Sequence, residues 1–131
     1  MRRDFQLPAN DEAFLNTLGR AWETTLDRGV RWVLIHGRVL PAGYNVSTVS
    51  EAHRIDAGYP DTQLDMVYFF PALQRYDGRT IGALSTQPMA GQIWQRWSRH
   101  REAAYPWRPG LDDLSSHLIL VDYWLEREVV Q

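Results

Sequence analysis

The sequence contains no cysteine, which excludes disulfide bonds, thiolate metal sites and thiol nucleophiles. It has no apolar run long enough for a membrane-spanning helix, and the residues after Met1 lack the apolar core of a secretory signal. Neither sign of charge is in large excess: 14 basic and 16 acidic residues leave a formal net charge of −2, which gives no global field that favours nucleic acid or anionic lipid. We expect a cytoplasmic protein without a membrane partner, in which any covalent chemistry uses a nucleophile other than cysteine.

The residues that are present suit a folded chain. The 131 residues are 44% hydrophobic and 23% charged and include six tryptophans, a composition typical of globular rather than disordered proteins. A chain of this length buries a core without disulfide or metal support. Since no repeat, linker or low-complexity segment interrupts the sequence, we expect one domain over residues 1–131.

Hydrophobic spacing predicts a helix near each end of the chain. The first begins near Asn10, carries Phe14, Leu18 and Trp22 at four-residue spacing, and ends near Arg28. The last is predicted from apolar residues that alternate steps of three and four: Leu111, Leu114, Leu118, Val121 and Leu125.

The segments between the helices read as strands. Runs of β-branched, aromatic and other apolar residues predict strands at 30–36 and 64–70, and the more polar, alternating residues 45–55 predict a half-exposed strand of uncertain register. The Asp-Gly pair within residues 75–81 predicts a hairpin, and residues 85–89, which include a proline, are predicted to form a loop. A helix, a run of strands with short turns and a final helix, without βαβ alternation, indicate an α+β fold with an antiparallel sheet covered on one face.

The stretch from Gly91 to Leu114 combines residues of two kinds. It holds three tryptophans, four arginines, one histidine and a single serine, Ser98. If residues 94–100 are extended, alternate side chains share a side, which places Ser98 and His100 together. The tryptophans of this stretch, Trp94, Trp97 and Trp107, are expected to anchor the core and the loop, because aromatic rings bury large apolar areas.

Four motifs in order resemble one bacterial family. They resemble the group of the ubiquitin-conjugating-enzyme (UBC) superfamily called prokaryotic conjugating-enzyme family E, whose genes neighbour those for ubiquitin-like proteins, an activating enzyme and a peptidase. The resemblance covers roughly residues 5–128, and the operon association of similar proteins points to stress or antiviral defence. The motifs are Leu40-Pro41-Ala42-Gly43-Tyr44; Tyr59-Pro60-Asp61 with Asp65-Met66 and Pro71; Trp94-Gln95-Arg96-Trp97-Ser98-Arg99-His100; and Trp107-Arg108-Pro109-Gly110-Leu111-Asp112-Asp113-Leu114.

The resemblance implies a UBC-like fold: an N-terminal helix, a four-stranded antiparallel meander, an active-site loop and a C-terminal helix. In eukaryotic members a His-Pro-Asn tripeptide precedes the catalytic cysteine, and a Trp and a Pro follow it. Here residues 87–89 read Gln-Pro-Met, residues 107–109 read Trp-Arg-Pro, and Ser98 lies between them. The resemblance thus implies an enzyme that accepts the C-terminus of a ubiquitin-like protein from an adenylating activating enzyme, here as a serine oxyester, and transfers it to an amine.

This hypothesis assigns a role to each polar residue of the stretch. Ser98 is the predicted acyl acceptor, His100 the general base, and Arg99 the stabiliser of the oxyanion or the ligand of the carrier's C-terminal tail. Met89 replaces the family's asparagine, so an oxyanion donor must come from elsewhere. Further candidates for tail binding or oxyanion support are Gln87, Gln92, Arg96 and Asp112.

Other interpretations remain open. The missing cysteine and the altered tripeptide also fit an inert UBC-fold adaptor that binds a ubiquitin-like protein non-covalently. Arginines interleaved with aromatic residues at 94–101 are typical of single-stranded nucleic-acid binding, but the acidic balance disfavours it. His36, His53 and His117 lack metal-ligand spacing, so we expect neither a metal nor a cofactor. Asp65, unusual in an apolar strand, is expected to pair with an arginine or to bond a turn.

Overall fold

The computed structural model describes residues 1–131. Two helices and six strands follow one another along the chain: α1 (Ala9–Thr17), β1 (Trp22–Asp27), β2 (Val30–Val39), β3 (Thr48–Ile55), β4 (Val67–Phe70), β5 (Leu84–Met89), β6 (Gln92–Trp97) and α2 (Leu114–Val130). All strands belong to one antiparallel sheet in the order β1-β2-β3-β4-β6-β5. The α+β class and the antiparallel sheet are confirmed, whereas the sheet has six strands rather than the four that the resemblance implies. Neither helix is long and apolar enough to cross a membrane.

The first additional strand was hidden in the predicted N-terminal helix. That helix ends at Thr17, and Gly19 turns the chain with a φ of 68° before β1 begins at Trp22. Residues 22–27 pair with β2 through a two-residue turn at Arg28-Gly29, where both φ values are positive, as a type I′ hairpin requires. The helix predicted for residues 22–28 is therefore wrong, because the pairing of β1 with β2 outweighs the helical spacing of the apolar residues.

The second additional strand is β5, which was predicted to be a loop because of Pro88. Pro88 is tolerated because β5 lies at the edge of the sheet, where a strand need not donate a hydrogen bond on its outer side. A turn at Ala90-Gly91, again with two positive φ values, joins β5 to β6. The hairpin predicted for residues 75–81 is wrong: Tyr76 and Asp77 form a turn that the N–H of Gly78 closes on the carbonyl of Arg75, but no strands flank it.

Strands β2, β3 and β4 confirm the three predicted strands with somewhat different ends, and α2 confirms the predicted last helix. Helix α2 begins at Leu114 rather than Leu111, which lies outside it and is 69% exposed. Asp113 is the N-cap of α2: its carboxylate accepts the backbone N–H of Ser116, whose hydroxyl in turn accepts the N–H of Asp113. This reciprocal capping box fixes the start of the helix.

Both helices cover the same face of the sheet, here named the inner face. Leu15 of α1 and Leu118 of α2 meet β2 there, while Val121 and Leu125 of α2 pack on β3, β4 and β6. The predicted one-sided cover is confirmed. Apolar residues from both helices and five of the strands make this the larger part of the core.

The opposite, outer face is closed by the curl of the sheet instead of by a helix. Trp32, Tyr68 and Trp94 are at most 3% exposed on this face, and the rings of Trp32 and Tyr68 meet edge to face at 4.9 Å. The β1–β2 and β5–β6 turns border one small cavity of about 130 Å³, although β1 and β5 are opposite edges of the sheet. The two edges therefore bend toward each other and bury the aromatic residues between them.

Candidate active site

Ser98 lies directly after β6, where the strand leaves the core. Trp97, which precedes it, is fully buried against Phe69 and Tyr44. The N–H of Ser98 donates to the carbonyl of Ala83 at 3.0 Å, so the hairpin of β5 and β6 fixes the backbone at this position. The side chain is half-buried, and no hydrogen bond joins its hydroxyl to His100.

His100 is held by a carboxylate. Its Nδ1 lies 3.0 Å from Asp65, which precedes β4 and stands 35 residues earlier in the chain. The side chain of His100 is 63% exposed, and its Nε2 has no protein partner. An imidazole oriented at Nδ1 by a carboxylate, with Nε2 free, is the arrangement of a general base in hydrolases and acyltransferases. Asp65 thus pairs with a histidine and not, as expected, with an arginine or a turn.

Arg99 is engaged in contacts within the protein. Its guanidinium donates to Glu128 of α2 at 3.1 Å and to the carbonyl of Gly82 at 3.1 Å, and it stacks 4.9 Å from the ring centre of Trp97. These contacts tie the end of β6 to the end of α2. A role for Arg99 at an oxyanion stays a prediction, and it requires the pair with Glu128 to open.

The remaining predicted site residues lie apart from one another. Gln87 donates to the carbonyl of Pro88, and Arg96 donates to Ser85 on the neighbouring strand at 2.7 Å. Gln92 begins β6 and Ser98 follows its end, a separation of about 20 Å along an extended strand. The structure therefore does not bring Gln92 to Ser98, and Gln87, which pairs opposite Trp94, is also displaced toward the distant turn.

Asp112 stabilises the turn that precedes α2. It is 6% exposed and accepts hydrogen bonds from the backbone N–H of Arg108 at 2.8 Å and from the guanidinium of Arg108. The Arg108 guanidinium, acting against burial, lowers the pKa of Asp112 to about 2. Its carboxylate is thus ionised at neutral pH, and its hydrogen-bond partners lie within the protein.

A cleft of about 550 Å³ opens between residues 100–108 and the exposed side of α2. His100 and Arg101 line it from the segment after β6, and Tyr123 and Arg127 line it from α2. Ser98 does not contribute to its lining. His100, which Asp65 holds in place, therefore lies both beside the segment that carries Ser98 and in the lining of this cleft.

A sequence model of the family described as prokaryotic E2 family E matches residues 7–128. The chain belongs to prokaryotic E2 family E. This confirms the family that the four motifs predict. Membership links the chain, at a coarse level, to conjugation of ubiquitin-like proteins and to interaction with such proteins and with activating enzymes in general. No curated protein and no solved structure matches the chain.

This family E protein also contains a buried polar network that sequence reasoning missed. Glu51 is inaccessible to solvent and accepts hydrogen bonds from Arg38 at 2.8 Å and from His53 at 2.9 Å. Burial alone raises the pKa of Glu51, but the hydrogen bond from His53 and the charge of Arg38 outweigh it and hold the pKa well below its usual range. The sequence did contain a signal for this network: Glu51 and His53 stand at the same alternate positions of β3 as the apolar Val49 and Ile55, so all four share one face of the strand.

His117 of α2 extends the network toward the cleft. Its ring meets the ring of His53 edge to face at 5.1 Å, and its Nε2 donates to the carbonyl of Met66 at 2.9 Å. Because Nε2 carries the proton, Nδ1 is free to accept from the guanidinium of Arg101 at 3.2 Å. Burial lowers the pKa of His117 to about 3, so the acceptor for Arg101 persists at neutral pH.

The predicted anchors of the family E protein are confirmed. Trp94 and Trp97 are at most 1% exposed and pack on opposite faces of the sheet. Trp107 is half-buried, and its Nε1 donates to the carbonyl of Pro60 at 2.9 Å, which fastens the loop between β6 and α2. No group of three histidine and carboxylate side chains is arranged to hold a metal ion.

Proposed function

We propose that this protein carries the C-terminus of a ubiquitin-like protein as an oxyester on Ser98 and passes it to an amine. Membership in prokaryotic E2 family E supports the reaction class, and the missing cysteine directs the acyl group to a hydroxyl. The observation that carries the proposal is the imidazole of His100, oriented by Asp65 and two residues from Ser98. The proposal includes a single UBC-like domain over residues 1–131, acting in the cytoplasm beside an ATP-dependent activating enzyme.

The chemistry requires a base because a serine hydroxyl is a weak nucleophile. Nε2 of His100 takes the proton from Oγ of Ser98 while Oγ attacks the activated carbonyl carbon held by the activating enzyme. The bond between the acyl carbon and the leaving group of the activating enzyme breaks, that group takes the proton from His100, and an ester forms. An amine then attacks this ester, the C–N bond forms and the C–Oγ bond breaks, and His100 takes the proton of the amine and gives it to the departing Oγ. A small movement after β6 has to bring Oγ within hydrogen-bond reach of Nε2, as catalytic contacts often tighten only with substrate bound.

The test uses the protein, the ubiquitin-like protein and the activating enzyme of the same organism with ATP. We expect the intact mass to rise by the mass of the ubiquitin-like protein minus water. As an ester, the adduct resists thiol reductant and is cleaved by hydroxylamine. Ser98→Ala abolishes it, whereas Ser47→Ala, at an exposed serine between β2 and β3, leaves it unchanged. Equal adduct in Ser98→Ala and wild type contradicts the assignment.

A second arm addresses the oriented imidazole. Asp65→Asn retains the shape of the side chain but removes the charge that holds His100. We expect the same ester to form about tenfold or more slowly, since positioned general bases contribute at least this much. An unchanged rate removes the carboxylate of Asp65 from the mechanism and leaves the acceptor role of Ser98 standing.

An inert adaptor is the second candidate, because the hydroxyl of Ser98 makes no hydrogen bond to His100 and Arg99 is committed to Glu128. An adaptor binds the ubiquitin-like protein without ATP, forms no adduct, and retains its affinity in Ser98→Ala. Calorimetry with and without the activating enzyme separates the two functions.

A further inference from the structure

The cleft between residues 100–108 and α2 has more positive charge than its neighbours neutralise. Three arginines and two carboxylates line it: Arg101, Arg108 and Arg127 against Glu102 and Asp112. Nε and Nη2 of Arg108 each donate to the carboxylate of Asp112 at 3.3 Å. The charges that remain available are those of Arg101 and Arg127, against the unpaired carboxylate of Glu102, which leaves a net charge of +1.

Arg101 is held in place without a carboxylate. Its guanidinium donates to the neutral His117, lies 4.8 Å from the ring centre of Trp107, and has a buried Nε with no hydrogen-bond partner. Burial lowers the pKa of Arg101 from its ordinary value, which reflects a cation that gives up hydration without an ion pair in return. A partly desolvated guanidinium with free donors is a strong site for an anionic oxygen ligand.

Arg127 supplies a second cation on the opposite wall. It is exposed, and its contacts are with Tyr123, whose hydroxyl lies 3.4 Å from the guanidinium. Beside these cations the cleft presents apolar surface: Tyr105 and Ile119 are 68% and 69% exposed. Exposed apolar side chains beside unpaired cations are typical of a binding surface.

We propose that this cleft binds the C-terminal tail of the ubiquitin-like protein, with Arg101 and Arg127 donating to its carboxylate and Tyr105, Ile119 and Tyr123 contacting its chain. This inference rests on the proposed function and assigns its tail-binding residues. Once the carboxyl is esterified, the same guanidinium groups donate to the carbonyl oxygens of the tail. His100 lines the same cleft, so a tail seated there ends beside the base.

The test measures binding of a short synthetic peptide that has the C-terminal sequence of the ubiquitin-like protein, with either a free carboxylate or an amide. Fluorescence anisotropy is expected to show about tenfold weaker binding for the amide, because the charge-assisted hydrogen bonds are lost. Arg101→Gln and Arg127→Ala are each expected to weaken the free acid by a similar factor. Arg54→Ala is the matched control, since Arg54 is exposed on β3, outside the cleft.

The outcomes separate this inference from the oxyester. Equal binding of acid and amide, or wild-type affinity in Arg127→Ala, overturns the cleft assignment even if the Ser98 ester forms. Binding that depends on the carboxylate and on both arginines supports the cleft even if no ester is found. Because Arg127 is exposed, its variant tests the cleft should Arg101→Gln fail to fold.

A different observation concerns the basic residues of the whole chain. All 14 are arginines, and the 131 residues include no lysine. A guanidinium stays protonated at all physiological pH values and does not attack an ester, whereas the amine of lysine does so whenever it is deprotonated. We infer that the protein is protected from modifying itself, because no side-chain amine lies near its own activated ester. This inference also rests on the proposed function.

A lysine near Ser98 would react with the ester in one transfer step. A neutral lysine Nζ attacks the carbonyl carbon of the Ser98 ester, a C–N bond forms, the bond to Oγ breaks, and the amine proton returns to Oγ. The product is an isopeptide that hydroxylamine does not cleave. Such a product consumes the ubiquitin-like protein and blocks the cleft.

Arg96→Lys and Arg101→Lys introduce an amine two and three residues from Ser98 and retain the positive charge. Each is expected to convert part of the ester into an adduct that resists hydroxylamine, detected by intact mass. Arg28→Lys is the matched control: it borders the cavity next to Gly91 and Gln92, about 20 Å from Ser98 along β6, and is expected to yield only ester. If Arg96→Lys and Arg101→Lys both yield ester without isopeptide, this inference is wrong and the proposed function stands. If the wild-type protein forms no ester, both the inference and the proposed function are wrong.

Discussion

At the scale of single residues, the candidate site depends on pairs that are distant in sequence. The absence of cysteine directs attention to Ser98, and the size of Trp94 and Trp97 predicts their burial, so these residues could be identified from the sequence. The pairing of His100 with Asp65 could not, because it joins positions 35 residues apart that lie in two separate motifs. Arg101 likewise lacks a carboxylate partner because α2 places the neutral His117 beside it, which the sequence does not show.

His117 provides a prediction at this scale. Its folded pKa of about 3 lies below the value of about 6.5 for an unfolded histidine, so between these values the unfolded chain binds a proton that the folded chain does not. His117 titration therefore leaves the free energy of unfolding unchanged well above pH 6.5. As the pH falls below this value it lowers the free energy of unfolding, by about 2 kcal/mol at pH 5. His117→Gln removes the titration and retains an N–H that can donate to Met66.

Urea unfolding at a series of pH values checks this prediction. Between pH 7.5 and 5, the free energy of unfolding of His117→Gln is expected to fall by about 2 kcal/mol less than that of wild type. Glu51 and Asp112 stay ionised in both states over most of this range and so change little. Parallel pH profiles for the two proteins would show that His117 is protonated in the folded state.

At the scale of elements, hydrophobic patterns predicted helices and strands correctly where the pairing of strands and the packing of helices agreed with those patterns. β2, β3, β4 and α2 follow their hydrophobic patterns, and both helices were found. β1 and β5 were missed for opposite reasons: apolar residues at 14, 18 and 22 imitate a helical face, and Pro88 imitates a loop. In both cases the decisive contact is a hairpin whose two-residue turn has positive φ values, at Arg28-Gly29 and at Ala90-Gly91, and only Gly29 and Gly91 hinted at it.

The start of α2 gives a prediction for an element. Asp113→Ala removes the capping box and the contacts of its carboxylate with Asn10 and Ser115. We expect a loss of about 1–2 kcal/mol in the free energy of unfolding and a decrease of about 4 °C or more in Tm. Thermal unfolding followed by circular dichroism measures it against Asp61→Ala, which alters an exposed aspartate. Identical melting of the two variants would mean that Asp113 does not cap the helix.

At the scale of the whole molecule, the curled sheet and the single helical layer explain where the site can form. The sheet closes its own outer face, so the chain from β6 to α2 is free to run along the exposed side of α2 and to form the cleft with it. The fold class was predictable because element order restricts it. The strand number and the cleft were not, because both arise from contacts between segments that no local pattern connects.

The central claim is that Ser98 is the acyl acceptor. The measurement that tests it most directly is tandem mass spectrometry of a protease digest of the protein after incubation with the ubiquitin-like protein, its activating enzyme and ATP. The account predicts that the fragment containing Ser98 carries the C-terminal remnant of the ubiquitin-like protein on that serine and that hydroxylamine removes it. A remnant on any other residue, or an unmodified Ser98 in a sample whose activating enzyme is charged, would contradict the account.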